Sequence, residues 1–465
     1  MAKCPHCGAE FKFDARKKLV HCDYCGSDFN PKELKKEVKQ SKKREDLISG
    51  KTYSCTQCGA TLMTFDETAV TFCSYCSSQN IVENEVIKEK APDLIIPFSK
   101  TEEECIKNYK RKISNFLFSP SYMKSEMVVK KLRGIYMPYA VYKLIHTGDC
   151  VNKGKKYSHR SGDYVYYDDY DIHADVDASY SGISFDLLSK FYDDYSQSIP
   201  FNAKEAEEFN PNYLPGFYAD KGDVEVDTYY SDACTIASRD STRFLKSQKI
   251  YSKYGCSNPT VGFGVSEKKY AMFPMYFMAI RSKDDKHIHY AAINGQTGKV
   301  AADMPISFPK YILFSLILTI PIFLFINIFP VILPRLVSFF TILMGIIAWC
   351  ICASQIKKCN DRDGRYNDKG YSQQFMVEDE NGKKKRKKSN KYKVKAKYWV
   401  KYLIAIILSL LMVIFNPVND AWFYGAAIIG LTLIIWSFYD LVKIHNQLVS
   451  RPIPQLEKRG GDENA

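Results

Sequence analysis

Four runs in the second half of the chain carry no polar face: Tyr311 to Pro330, Leu336 to Ser354, Tyr398 to Asn416 and Trp422 to Val442. Each has about the 20 residues that a helix needs to cross the hydrocarbon core of a bilayer. A helix on a soluble core keeps a polar stripe toward water, and these runs lack one. They predict four transmembrane helices in two hairpins, since the connectors around Pro334-Arg335 and around Asn416 to Asp420 are short. Pro321 predicts a kink in the first helix. Lys401 and Asp440 fall near run ends, within reach of the interface, and the spacing of Ala426 and Gly430 permits close helix packing. No run has a charge at its centre, which argues against a transporter or proton relay and for an anchor.

Upstream the periods are mixed. Cys105, Tyr109, Ile113 and Phe116 recur at helical spacing behind Ser99, the expected cap, and Gly134 is expected to end a second, shorter helix. Residues 135–147, 149–158 and 163–181 alternate and are rich in Tyr, Val and Ile, predicting strands with turns at Gly148-Asp149 and Ser161-Gly162-Asp163. Helices are predicted at 185–196 through Leu188, Phe191, Tyr192 and Tyr195, and at 224–247 through Val226, Tyr229, Ala233, Ile236 and Phe244. A closing meander over 270–281, 286–293 and 299–303 turns at Asn294-Gly295. Grouped strands and helices predict an α+β domain with an antiparallel sheet, long enough to bury a core of its own.

The front of the chain is set by cysteine. Cys4-x2-Cys7-x14-Cys22-x2-Cys25 recurs 51 residues later as Cys55-x2-Cys58-x14-Cys73-x2-Cys76. Two closely spaced pairs brought together by a hairpin offer four soft ligands to one tetrahedral ion, and zinc suits that set best. Gly8, Gly26 and Gly59 follow three of the pairs and supply a left-handed turn, while Ser77 stands in the fourth. Disulfides are the competing reading, but the opening MAKCPHC does not read as a signal peptide. Two structural zinc ions are expected, since a closed four-thiolate site leaves no position for a reacting water. His6 and His21 lie beside ligands, yet each framework already has four cysteines, so both are expected at the surface.

The expected organisation is multidomain: zinc ribbon 1 (1–30), a basic helical linker (31–50), zinc ribbon 2 (51–90), an α+β cytoplasmic domain (91–307), a transmembrane hairpin (308–354), a basic loop (355–397), a second hairpin (398–443) and a tail (444–465).

Charge sets the orientation. Of 465 residues, 65 are Lys or Arg and 52 are Asp or Glu, a formal net of +13, and residues 355–397 alone hold 15 basic against 6 acidic residues. The positive-inside rule places that loop, and with an even number of spans both termini, in the cytoplasm of a multi-pass membrane protein. Lys383, Lys384, Lys385, Arg386, Lys387 and Lys388 are candidate contacts for anionic lipid. In the linker, read as a helix from Pro31 to Ile48, Lys35, Lys36, Lys39, Lys42, Lys43 and Arg44 are candidate phosphate or lipid contacts. No aromatic residue is interleaved there for base stacking, and ionised thiolates lower the true net charge, so basicity argues only weakly for nucleic acid.

Catalysis is not inferred. Asp163 to Asp177 holds six aspartates, and His287-x-His289 puts two imidazoles on one strand face. Asp171, Asp175, His287 and His289 are the candidates should the domain be an enzyme, but no nucleophile with an adjacent base is legible. A phosphate-binding loop is missing too, since Gly295-Gln296-Thr297-Gly298-Lys299 is too short to be one.

Residues 4–25 and 55–76 resemble the zinc ribbon of general transcription factor B and the zinc modules of the primosomal helicase. Ile95-Ile96-Pro97-Phe98, Gly134 to Tyr139, Tyr213 to Phe217 and Asn294 to Val300 resemble an uncharacterised bacterial family of zinc-ribbon membrane proteins, over residues 1–310. The resemblance implies architecture and bacterial origin and carries no catalytic residue across; the duplicated ribbon departs from the single one of many relatives. The expected function is an adaptor that binds a protein partner at the membrane, with membrane-tethered nucleic-acid binding as the alternative and an enzyme in the 91–307 domain as a third reading.

Overall fold

The computed structural model describes residues 3–34, 47–66, 70–282, 287–326, 328, 334–365, 369–370, 376–378, 384–386, 397–415 and 420–454. The first ribbon is a three-stranded antiparallel sheet of β1 (Lys12–Asp14), β2 (Leu19–His21) and β3 (Asp28–Phe29). Phe13 and Val20 pair across β1 and β2 and are buried. Phe13 also fastens the ribbon to the rest of the chain: its N–H donates to the Pro215 carbonyl at 3.0 Å, and its ring meets Tyr213 edge-on.

The second ribbon belongs to the main sheet. Its strands β4 (Leu47–Cys55), β5 (Thr61–Thr64) and β6 (Ile81–Lys90) are antiparallel, with β4 in the middle. The linker residues 35–46, with Lys35, Lys36, Lys39, Lys42, Lys43 and Arg44, lie outside the described residues. At its far end the helix expectation fails, because Leu47 and Ile48 open β4 and pair with Lys90 and Glu89 of β6. At Leu47 and Ile48 strand pairing overrides local helix propensity, which tertiary contacts routinely outweigh.

Strand β7 (Leu94–Ile95) leads to α1 (Glu102–Ser114), which buries Cys105, Tyr109 and Ile113 as expected, with Phe116 beyond its end. Thr101 rather than Ser99 caps it, through a reciprocal box with Glu104; Ser99 instead donates its N–H to Gly295. The short α2 (Glu126–Val129) ends before Gly134, which lies inside a strand and not at a helix end. A Cβ there would come within 2.5 Å of the Phe217 ring, so only glycine permits this packing.

The long hairpin of β8 (Arg133–Ser161) and β9 (Tyr164–Asp186) merges three expected strands into two. Gly148 is no turn: with φ +117° it continues the ladder opposite Val176. The expected turn at Gly162 does form, with φ +61°. Beyond the core the hairpin is held by cross-strand pairs, Lys153 with Asp171, Lys155 with Asp169 and Lys156 with Asp168.

The helix expected at 185–196 is also corrected. Strand β9 runs to Asp186, and α3 spans only Asp193–Ser198. Leu188 and Phe191 are buried from a turn fixed by Leu187 N–H on the Pro138 carbonyl and by Ser189 on Asp223, and Tyr195 is buried from α3. After β10 (Glu207–Glu208) and β11 (Tyr218–Ala219), α4 (Tyr230–Ser247) buries Ala233, Ala237, Ser241 and Leu245. Ile236 and Phe244, expected inside, are exposed, because the small residues let α4 approach Ala140 and Tyr142 closely. Following α5 (Lys249–Lys253), β12 (Gly264–Arg281), β13 (His287–Asn294) and β14 (Val300–Ala302) form the expected meander. Its turn is longer than Asn294-Gly295: the Asn294 side chain accepts from the N–H of Gln296 and Thr297, and Asn294 N–H reaches the Lys299 carbonyl.

Strands β4 to β14, with β17 (Arg451–Pro452), make one twelve-stranded sheet. It is mostly antiparallel, with β11 beside β8 and β7 beside β12 in parallel. Because β5 pairs β11 and β11 pairs β8, hydrogen bonding runs unbroken from the second ribbon into the domain.

The apolar runs are helical: α6 (Phe308–Ile326), α7 (Pro334–Gly364), α8 (Lys397–Phe415) and α9 (Asp420–Leu448). Two stretches, Arg335–Asp363 and Tyr424–Leu448, are long and apolar enough to cross a membrane, while Phe308–Pro321 and Val400–Phe415 are shorter apolar helices. Between α7 and α8, β15 (Met376–Glu378) pairs β16 (Lys384–Arg386), and Lys383, Lys387 and Lys388 lie outside the described residues.

Lys401 and Asp440 do not reach separately for an interface; they form an ion pair between α8 and α9, and Asp440 also accepts from Tyr402 Oη at 3.1 Å. The tail returns to the domain. Strand β17 (Arg451–Pro452) pairs with His287 and Ile288 of β13, and Arg451 is buried against Asp303 at 2.8 Å.

Candidate metal centres

The residues between each cysteine pair form the same tight turn four times over. In each, the first cysteine's carbonyl accepts from the N–H four residues on: Gly8 to Cys4 at 2.8 Å, Gly26 to Cys22 at 2.9 Å, Gly59 to Cys55 at 2.8 Å and Ser77 to Cys73 at 2.8 Å. The acceptor turns require a left-handed residue, and φ is +72°, +71° and +76° at the three glycines and +57° at Ser77. A side chain at such a φ costs on the order of 1 kcal/mol. Ser77 offsets this by donating its hydroxyl to the Ala279 carbonyl of β12.

The turns converge two by two. Cys4 and Cys25 sulfurs lie 3.6 Å apart and Cys7 and Cys22 3.5 Å; in the second ribbon Cys55 and Cys76, and Cys58 and Cys73, are each 3.6 Å apart. In both groups all four sulfurs lie within 4.8 Å of one another. A tetrahedral ion bound at about 2.3 Å from each sulfur would set them about 3.8 Å apart, so the spacing fits one ion per group. All eight thiols are free rather than cystines.

Packing four thiols this closely divides their protons unevenly. The hydrogen bond from Cys58 holds the Cys76 thiol down to about 2, that from Cys73 holds Cys55 to about 6, and the same sharing with Cys55 pushes Cys73 far up. A doubly charged cation among them removes that competition by letting all four ionise. In the first group the Ser27 hydroxyl, 3.3 Å away, lowers Cys25 to about 6.

The two centres differ in surroundings. Cys7 and Cys25 are exposed, whereas all four ligands of the second group are buried. The second group is walled by the sheet: Arg281 donates to the Cys76 carbonyl and to Gln57, and Tyr290 donates to the Tyr75 carbonyl. Tyr75 in turn donates to Asp220, which Lys190 approaches to 3.1 Å. Burial, reinforced by Asp220, holds the Tyr75 hydroxyl well above its usual range and keeps it a donor. None of these partners has a sequence signal, because each comes from more than 100 residues away. His6 and His21 are not ligands: their rings hydrogen-bond Ser27 at 3.1 Å and Asp28 at 2.6 Å.

The residues proposed for an enzyme do not meet. Asp171 and Asp175 are exposed on the outer part of β9, and Asp171 pairs with Lys153, twenty residues along β8 from Arg133. For an extended strand that places Asp171 on the order of 60 Å from the β13 end of the sheet. His289 is buried, kept below its usual range by loss of solvent, and hydrogen-bonded at 2.7 Å to the Val449 carbonyl. Among the described residues no third ligand joins His287 and His289, and both lie where the tail docks, His287 opposite Pro452.

No known protein family and no solved structure matches the chain. It is similar to an uncharacterized protein of Bacillus subtilis (strain 168), YdjG, with 26% identity over 310 residues, covering 66% of this chain and 90% of that protein.

Proposed function

We propose that this chain is a membrane-anchored adaptor whose two zinc ribbons and sheet recognise a protein partner on the cytoplasmic side. The observation that carries this is the first ribbon: a closed metal centre whose turns face solvent, with Tyr24 83% exposed beside Cys25, on a small sheet fastened to the domain through Phe13. A four-sulfur site offers a metal no open position, so its use is to hold loops rigid, which favours recognition over turnover.

The anchor reading rests on the helices. Only 28% of the apolar window of α7 and 33% of that of α9 is buried, which a soluble core helix would not tolerate. Helices α6 and α8 have 19 residues each, about 28 Å of rise, close to the ~30 Å hydrocarbon core. Four spans in two hairpins then put the basic loop and both termini in the cytoplasm, where the thiols stay reduced.

Metal analysis of the full-length protein is expected to give about two zinc ions per chain, and fewer than one would overturn the zinc assignment. Crosslinking in cells should recover a protein partner whose yield falls in a Cys4→Ser variant. Recovery of nucleic acid in its place, with a steep salt dependence, would decide for membrane-tethered nucleic-acid binding.

A further inference from the structure

A cleft of about 740 Å³ opens where α3, the β13–β14 meander and the ends of α7 and α9 meet. We propose that it seats a phosphate-bearing ligand, with the headgroup of an anionic phospholipid or a soluble phosphorylated molecule as the two sources of that chemistry. Six cationic side chains and four carboxylates line it. Among the carboxylates, Asp303 is already engaged by Arg451, Tyr195 and the Tyr290 N–H. Among the cations, Lys112, Lys299 and Lys358 come from three separate elements, are exposed, and make no ion pair among the described residues. Asp193, Asp194 and Asp361 line the cleft as well, so the whole lining holds a formal surplus of two positive charges, six against four, that an anion would complete.

The floor of the cleft is more telling. Arg451 lines it while only 4% exposed, packed over the rings of Tyr192 and Tyr195 at 4.5 and 4.9 Å. Its Nη1 serves Asp303 and Tyr195, but its Nε has no hydrogen-bond partner. That N–H is covered by protein, so the guanidinium acts on the cleft through its charge from beneath the floor, drawing an anion without touching it through Nε.

The size of the cleft suits a phosphorylated organic molecule better than a bare ion. The lipid source rests on the membrane reading given above. On α7, Lys358 and Arg362 lie four and eight residues past Ser354, where the apolar run ends. At ~1.5 Å per residue that is about 6 to 12 Å beyond the hydrocarbon, the depth of headgroups.

The test uses the full-length protein in detergent, titrated by calorimetry with dioctanoyl phosphatidylglycerol and, separately, with glycerol phosphate. Saturable binding near one ligand per chain is expected, weakened about tenfold in the Lys299→Gln, Lys358→Gln double variant, whose side chains are both exposed. Variant-sensitive binding of the lipid alone supports the lipid source, and variant-sensitive binding of glycerol phosphate supports the soluble one. Binding that the double variant leaves unchanged, or none with either ligand, overturns the cleft. Flotation of the chain with lipid vesicles is read independently. A chain that fails to float yet binds glycerol phosphate through these lysines would sink the anchor reading and keep the cleft.

Discussion

A Cys73→Ser variant is expected to lose cooperative folding of the whole sheet, while Cys4→Ser frees only the first ribbon. By cysteine spacing alone the two ribbons are equivalent. The structure separates them. Cys55, Cys58, Cys73 and Cys76 are buried in one cluster with Phe273, Phe277 and Tyr290 of the central strands. Structural zinc contributes apparent binding free energies of roughly 10–16 kcal/mol in small peptides, comparable with the ~5–15 kcal/mol that holds a typical domain folded. Removing one ligand of the second centre also leaves three buried thiols competing for protons against the sheet. The first ribbon also shares buried contacts with the domain, through Cys4, Phe11, Phe13 and Val20, but its three-stranded sheet pairs with no strand of the domain, so its loss is expected to be the more local one. Amide hydrogen exchange on the full-length variants decides the matter. Strands β12 and β13 should lose protection in Cys73→Ser and keep it in Cys4→Ser; retained protection in both would show the second centre to be dispensable for the sheet.

The other large effect concerns the tail. Arg451→Met keeps the bulk of the side chain but leaves the Asp303 carboxylate without its cation, at a site where the pair's side chains are 5% and 10% exposed. Breaking a buried pair from one side costs about 3–5 kcal/mol. For a domain of this size that lowers the melting temperature by roughly 10 °C. Adding Asp303→Asn should recover part of the loss, because the stranded charge is then gone. A thermal shift of less than about 2 °C in the single variant would mean that the tail adds little to the fold. Proteolysis at 449–454 supplies the second readout, since release of β17 exposes that segment.

What the sequence revealed depended on the range of the interaction. The eight clustered cysteines were legible because CxxC turns are local, and the strands of the β12 to β14 meander because their apolar runs are local too, although β12 begins at Gly264 and not at residue 270. The core side of α1 was read correctly down to Cys105, Tyr109 and Ile113. Failures came where distant contacts decided. Leu188, Phe191 and Tyr195 have helical spacing and are buried, yet the Pro138 carbonyl and Asp223 hold the segment of Leu188 and Ser189 in a turn, and only Tyr195 falls in a helix. On α4 the bulky Ile236 and Phe244 suggested the inner face, whereas the sheet selected alanines. Gly148 read as a turn because a glycine before aspartate normally is one, and 29 residues is far beyond the usual strand. The walls of the second metal centre and the docking of Arg451 had no local trace at all.

The return of the tail has a mechanical side. The sheet is gripped at its exit into α6, where Asn446 bonds both the N–H and the carbonyl of Ile306, and again just past α9, where β17 joins β13. Between these grips, Arg362 of α7 clasps the carbonyls that end α9. A body hung from a single strand of chain swivels freely, but one held at two points on different helices keeps its heading. The ribbons are thus aimed rather than tethered, and a tilt or separation of the helices turns the whole sheet with them.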